Sequence, residues 1–115
     1  MHELSITESV VATVSEHVGD ASVLSLTLEI GALSGVVPDA VRFCFELCAV
    51  GTPCEGARLE IIDMPGRGHC RDCGFEVELP DLIALCSCGS ANLDITDGQQ
   101  LRIRRLELGA EEIGD

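Results

Sequence analysis

The segment CRDCGFEVELPDLIALCSCG, residues 70–89, carries four cysteines in two close pairs, Cys70-x2-Cys73 and Cys86-x-Cys88. Thiols grouped in this way read as a metal clasp. Zinc accepts tetrahedral sulfur ligands from many backbones and is the expected occupant. The first knuckle, Cys70-Arg71-Asp72-Cys73-Gly74, is a regular zinc-ribbon half-site. The second is one residue short, so its turn must differ. A disulfide or unligated surface thiols is the competing reading. His69, next to Cys70, is the substitute ligand should the short pair fail to place both thiols. A module of residues 67–97 is too small for a core of its own, so metal would supply much of its folding energy.

The core must therefore come from the flanking sequence. Residues 4–18 predict an amphipathic helix with Leu4, Val11, Val14 and Val18 on one face. Ser5 and Glu8 fit a capping box, with a start one turn earlier as the alternative, and Gly19-Asp20 ends the helix. Residues 23–30 alternate strictly, Leu24, Leu26, Leu28 and Ile30 against Ser25, Thr27 and Glu29, which predicts a half-buried strand. Pro38 opens a second helix running to about Ala49. Val41, Phe43, Cys44, Phe45, Leu47 and Cys48 make it apolar around most of its surface, so it is expected to be covered on more than one side, by the sheet and a partner subunit.

Residues 57–63 predict another strand, and Met64-Pro65-Gly66 a boundary. Inside the module, Phe75, Val77 and Leu79 alternate as a short hairpin strand that Pro80 limits. A last strand spans 101–108, where a bulge near Arg104-Arg105 would reconcile Leu101 and Ile103 with Leu106 and Leu108. The acidic tail, 109–115, is expected to fray. The resulting architecture is α+β: two helices packed on a three-stranded sheet, with a zinc-ribbon-like module inserted between its second and third strands.

The chain has 115 residues, 46% of them apolar, with three Phe and neither Tyr nor Trp. It therefore lacks the stacking platforms of single-strand nucleic-acid binders. Seven basic against twenty acidic side chains give a formal charge of -13, which repels phosphate backbones and suits cations or basic protein surfaces. No signal-like segment or membrane span is visible, and the expected compartment is the cytoplasm, where thiols stay reduced. Cys44 and Cys48, four apart in an apolar run, read as buried small hydrophobes, and Cys54 brings the cysteines to an odd total. No glycine-rich phosphate loop or His-Glu-x-x-His pattern is present, and a clasp closed by four thiolates offers no activated water. The chain is not read as an enzyme.

A second metal site is read at the other end. His2 is expected to block removal of Met1, so that the terminal amine, the His2 amide nitrogen and the imidazole form adjacent chelate rings. Ni(II) and Cu(II) favour such square or tetragonal nitrogen sets. Glu3 would supply an oxygen or orient His2. His17 reads as a favourable residue at the C-terminal end of the first helix.

Three stretches, Met1-His2-Glu3-Leu4-Ser5, Phe43-Cys44-Phe45-Glu46 and Cys88-Gly89-Ser90, resemble the HypA/HybF family over nearly the whole chain. The resemblance implies a nickel metallochaperone for [NiFe]-hydrogenase maturation, which in some organisms also supports urease. It implies transient nickel at the terminal amine of Met1, His2 and Glu3, and structural zinc at Cys70, Cys73, Cys86 and Cys88. Residues 1–66 and 98–115 would then form the nickel-binding α+β domain and 67–97 the zinc-binding module. A nickel-insertion GTPase and the hydrogenase large-subunit precursor are the implied partners, and the apolar second helix permits a homodimer. The departure is Cys86-Ser87-Cys88, where the family has Cys-x2-Cys, often with Pro after the third cysteine. The rival reading is a zinc-stabilised adaptor for a basic partner that carries no nickel.

Overall fold

The computed structural model describes residues 3–109. Its elements are α1 (Glu3–Val18), β1 (Val23–Gly31), α2 (Pro38–Cys48), β2 (Arg58–Met64), β3 (Gly66–Cys70), β4 (Glu76–Leu79), β5 (Leu93–Asp97) and β6 (Leu101–Leu108). The strands form two three-stranded sheets, ordered β2-β1-β6 and β4-β3-β5. Two helices with a three-stranded sheet and an inserted cysteine module is thus the observed fold. The inserted module contributes a small sheet of its own. Residues 110–115, expected to fray, and Met1 and His2 lie outside the described residues.

α1 is already running at Glu3, so Ser5 sits within its first turn and is no cap. Thr7, Val11 and Val14, spaced four and three apart, form its buried stripe. The Thr7 hydroxyl donates to the Glu3 carbonyl at 2.7 Å. Gly19, at φ 59°, closes the helix in the left-handed conformation that glycine adopts without strain. α2 opens with Pro38 as expected, after Val37, which offers no capping side chain. The Val37 N–H instead donates to Glu3 Oε2 at 2.9 Å. A carboxylate at that position satisfies a donor at the helix entry and complements the positive end of the α2 dipole.

The expectation for α2 changes in one respect. Val41 and Phe45 are buried, Phe45 being 4% exposed, but Phe43 and Leu47 stand 69% and 61% exposed. The described residues cover one face of the helix only. Phe43, Leu47 and the exposed Val50 just beyond its end form an open apolar stripe at helical spacing.

β1 also departs from a half-buried strand. It is the middle strand of its sheet, and Ser25, Thr27 and Glu29 are buried along with Leu26, Leu28 and Ile30. Leu24, expected inside, is 59% exposed near the strand's start. The polar face is covered by long side chains from the flanking strands. Ser25 Oγ donates to Glu107 Oε1 at 2.8 Å and Thr27 Oγ1 to Glu60 Oε1 at 3.4 Å. Glu29 Oε1 accepts from Arg102 Nη2 at 2.6 Å and Nε at 3.0 Å. Glu29 is only 1% exposed, so its charge depends on these charge-assisted bonds. On β6, Ile103 and Leu106 are half-buried while Arg104 and Arg105 are exposed, so the inward parity changes across the two arginines.

The described residues divide into two compact units. One comprises the residues through Leu28, Val37–Ile61 and those from Ile103; the other comprises Glu29–Val36 and Ile62–Arg102. Within the second, three glycines let backbones meet. A Cβ at Gly31 would lie 2.0 Å from the Gly98 carbonyl oxygen, and one at Gly98 would lie 2.4 Å from Gly66 Cα. The Leu33 N–H donates to Gly98 O at 2.7 Å and the Ala32 N–H to Met64 O at 2.8 Å, so these turns are pinned where the chain leaves for the cysteine module and returns.

Candidate metal centre

β3 and its neighbours carry the first knuckle. β3 pairs antiparallel with β4, Gly66 opposite Leu79 and His69 opposite Glu76, and with β5, Cys70 opposite Leu93. Cys70 therefore ends a strand hydrogen-bonded on both sides. The turn beyond it is closed by Gly74 N–H to Cys70 O at 2.8 Å and Cys70 N–H to Phe75 O at 2.9 Å. The second knuckle closes in the same way, at the two residues that follow its last cysteine. Gly89 N–H donates to Cys86 O at 2.8 Å and Cys86 N–H to Ser90 O at 2.9 Å.

These two turns bring the Sγ atoms of Cys70, Cys73, Cys86 and Cys88 within 4.8 Å of one another. Cys70 and Cys88 are 3.7 Å apart and Cys73 and Cys86 3.6 Å. A tetrahedral ion with ~2.3 Å bonds to sulfur has ligands ~3.8 Å apart, so the spacing fits such an ion. A disulfide needs about 2.05 Å, and all four thiols are free. The short second knuckle thus still delivers both of its sulfurs. Cys70 and Cys86 are buried, whereas Cys73 and Cys88 reach the surface.

The electrostatics of the cluster are uneven. The Cys73 N–H, 3.4 Å from Cys70 Sγ, and the Asp72 N–H outweigh burial and pull the Cys70 thiol down to about 6. At Cys88 the Ser90 N–H favours the thiolate, but Cys86, burial, Cys70 and Cys73 override it and push the thiol up to about 12. Cys73 also moves up: the Phe75 N–H lowers it, and burial with Cys86 and Cys70 outweighs that. One thiolate forms readily, and Cys73 and Cys88 keep their protons until a cation arrives to compensate the charge.

The remaining residues singled out in the sequence fall elsewhere. His69 is outside the group, with Nδ1 3.1 Å from Glu76 Oε2. Cys54 is fully buried, and burial pushes its thiol up, with a smaller opposing effect from the Thr52 hydroxyl. Cys44 and Cys48 are half-buried; Cys48 is pushed up by burial, then by Glu8 and Cys44. His17 occupies the last turn of α1. Of the proposed nickel ligands, Met1 and His2 lie outside the described residues, and Glu3 opens α1 with its carboxylate on the Val37 N–H at the start of α2.

A set of polar residues around the knuckles escaped the sequence reading. Arg71 forks onto Asp94, with Nε 2.9 Å and 3.0 Å from its two oxygens, and holds the Asp94 carboxyl below the usual carboxylate range. Asp72, Ser90 and Asn92 form a second group. The available signal was their position, inside or just after the cysteine pairs; nothing in the spacing said which would meet.

Taken together, the α+β body and four cysteine sulfurs gathered at metal-ligating distances define a small protein of metal-binding class. The family described as hydrogenase/urease nickel incorporation, metallochaperone, hypA, matches residues 1–108. The hydrogenase maturation factor HypA of Nostoc punctiforme is 49% identical over 108 residues, covering 94% of this chain and 96% of that protein. That of Geobacter metallireducens is 49% identical over 109 residues, covering 94% and 99%. The solution structure of the Ni metallochaperone HypA from Helicobacter pylori superposes with a TM-score of 0.67 at 29% identity, covering 96% of this chain and all of that one. The chain belongs to the HypA family of metallochaperones for hydrogenase maturation.

Proposed function

We propose that this protein receives Ni(II) at its N-terminal end and delivers it to the [NiFe]-hydrogenase large-subunit precursor in the cytoplasm, with a structural zinc ion at the four cysteines. The family match over residues 1–108, which includes the Met1-His2-Glu3 opening, carries the reading. The terminal amine, the His2 amide and the imidazole supply nitrogen donors suited to a square nickel set. Glu3 anchors that set: its bond to the Val37 N–H fixes the first turn of α1 against the start of α2. Residues 1–66 and 98–115 serve as the nickel-binding domain, and 67–97 as the zinc module.

Zinc is assigned to the cysteines because a tetrahedral all-thiolate set at these sulfur distances suits it and leaves no open position. Metal transfer is ligand exchange, for which an open terminal chelate is better placed than a closed cage. The exposed stripe of Phe43, Leu47 and Val50 supports docking to a protein partner, for which the nickel-insertion GTPase and the precursor are the candidates and a second copy of the chain the alternative. The same stripe and the charge of -13 favour the second reading, a zinc-stabilised adaptor.

Native mass spectrometry on untagged protein separates the two. One zinc plus one nickel per chain, the nickel lost in His2→Ala, is the result expected of the metallochaperone. Zinc alone, or nickel indifferent to His2, would leave the adaptor.

A further inference from the structure

The short knuckle raises a physical question: what holds Cys88 at the metal. Cys88 is exposed, and no strand lies between Leu79 and Leu93. Ser90 is the residue that closes the turn, through its carbonyl bond from the Cys86 N–H at 2.9 Å. Its hydroxyl accepts from the Asn92 N–H at 2.9 Å and donates to Asp72 Oδ2 at 2.5 Å. Asn92 Nδ2 reaches Asp72 Oδ1 at 3.5 Å, and the Arg71 N–H donates to Asn92 O at 2.9 Å. Asp72 lies between the two ligands of the other knuckle, Cys70 and Cys73. One carboxylate thus ties the middle of the first knuckle to the end of the second.

We propose that Asp72 is a positioning residue for the metal: by holding the Ser90 hydroxyl it fixes the Cys86-Ser87-Cys88 turn, and with it the exposed Cys88 ligand, against the first knuckle. The proposal rests on the reading that the four thiolates hold a tetrahedral ion. Groups that orient ligands from outside the coordination sphere typically change metal affinity by about 10- to 100-fold. Here the contact is surface-exposed, and it acts on the rate at which Cys88 leaves the ion, because a released ligand whose turn has lost its tether is slow to return.

The test uses the zinc-loaded full chain and follows zinc release to a chromophoric chelator. Asp72→Ala and Ser90→Ala are expected to release zinc about 10- to 100-fold faster than wild type. Asp72→Asn and Ser90→Thr, which keep an acceptor and a hydroxyl, should restore most of the wild-type rate. Because both residues act through one bond, the double alanine variant should be no faster than the faster single. Glu78→Gln removes the same charge elsewhere in the unit and should leave release unchanged. In the cobalt-substituted protein, Asp72→Ala should alter the visible ligand-field bands and Asp72→Asn restore them. Unchanged release in Asp72→Ala and Ser90→Ala overturns the proposal, as do multiplicative effects in the double variant. A fast Asp72→Ala that Asp72→Asn does not rescue also counts against it. Wild-type protein that retains no zinc overturns the four-thiolate reading and the clamp with it; one zinc per chain with indifferent variants overturns the clamp alone.

Discussion

Lowering the pH should strip the metal from the four-cysteine centre, and the structure says how steeply. Cys70 is at about 6, so at pH 7 it is already thiolate by about ten to one. Cys73 is raised above its ordinary 9.0 and Cys88 stands at about 12, so both hold their protons at pH 7. An ion that takes all four sulfurs must expel at least these two protons. The sign follows directly: binding releases protons, so affinity rises with pH and falls as acid is added. Near pH 7 the apparent affinity should change by at least about two decades per pH unit. Below pH 6 Cys70 is protonated as well, and the slope should steepen by about one more.

The count is measurable independently of affinity. Calorimetric zinc titrations at pH 7 in buffers of different ionisation enthalpy give the protons released per ion. Two or more are expected, and Cys88→Ser should release one fewer, because the ligand that brought a proton is gone. Chelator competition at pH 6, 7 and 8 supplies the slope. A release of one proton or none at pH 7, or an affinity flat between pH 6 and 8, would refute the reasoning that crowding holds protons on Cys73 and Cys88.

Three further outcomes follow from other parts of the fold. Arg102→Ala removes both bonds to the buried Glu29 carboxylate and should cost about 2–3 kcal/mol in urea unfolding, the low end for a buried pair because the Arg102 side chain is itself 64% exposed. Arg102→Ala combined with Glu29→Gln should recover part of that loss. Two phenylalanines of one helix should behave oppositely: Phe45→Ala should cost about 3–5 kcal/mol and Phe43→Ala less than about 0.5, read from the same unfolding curves. The sequence contains no lysine, so in the proposed chelate the Met1 α-amine would be the one primary amine that residues 1–115 offer. Nickel at the terminal chelate should protect it from acylation in wild-type protein and not in His2→Ala, as mass spectrometry would show.

The helices and the three longer strands were legible because their apolar residues run long enough to show an element, even where, as across Arg104-Arg105, the parity slips. β1 shows where that reading stops. Its alternation correctly separates two chemical faces, but solvent exposure is set by the strand's place in the sheet, and a middle strand flanked by Glu60, Arg102 and Glu107 buries even its polar side. β3, Gly66–Cys70, carries two glycines and a histidine, and its pairing comes from the register with β4 and β5 instead of from intrinsic strand preference. At the metal centre, spacing identified all four sulfurs. The bond between Asp72 and Ser90 joins residues 18 positions apart and has no periodic signature.

That contact also bears on why a shortened knuckle is tolerated in so acidic a chain. Four thiolates around a doubly charged ion leave a net charge of about -2, added to a protein already at -13. Neither neighbouring basic side chain is committed to the sulfurs: Arg71 is engaged by Asp94, and His69 by Glu76. The surplus charge falls instead on backbone N–H groups, those of Cys73 and Asp72 at Cys70, Phe75 at Cys73 and Ser90 at Cys88. What a knuckle must provide is therefore a turn that presents an N–H to its sulfur, and the number of residues between the cysteines matters only through that. Cys86-Ser87-Cys88 meets the requirement with one residue fewer between its cysteines: it closes at Ser90, two past Cys88 as Phe75 is two past Cys73, and Ser90 is the residue that Asp72 holds. A closed, amide-stabilised cage of this kind is suited to keeping its ion. Handing a metal to a client calls for donors that exchange one at a time, and in the proposed function that part falls to the amine of Met1 and the imidazole of His2.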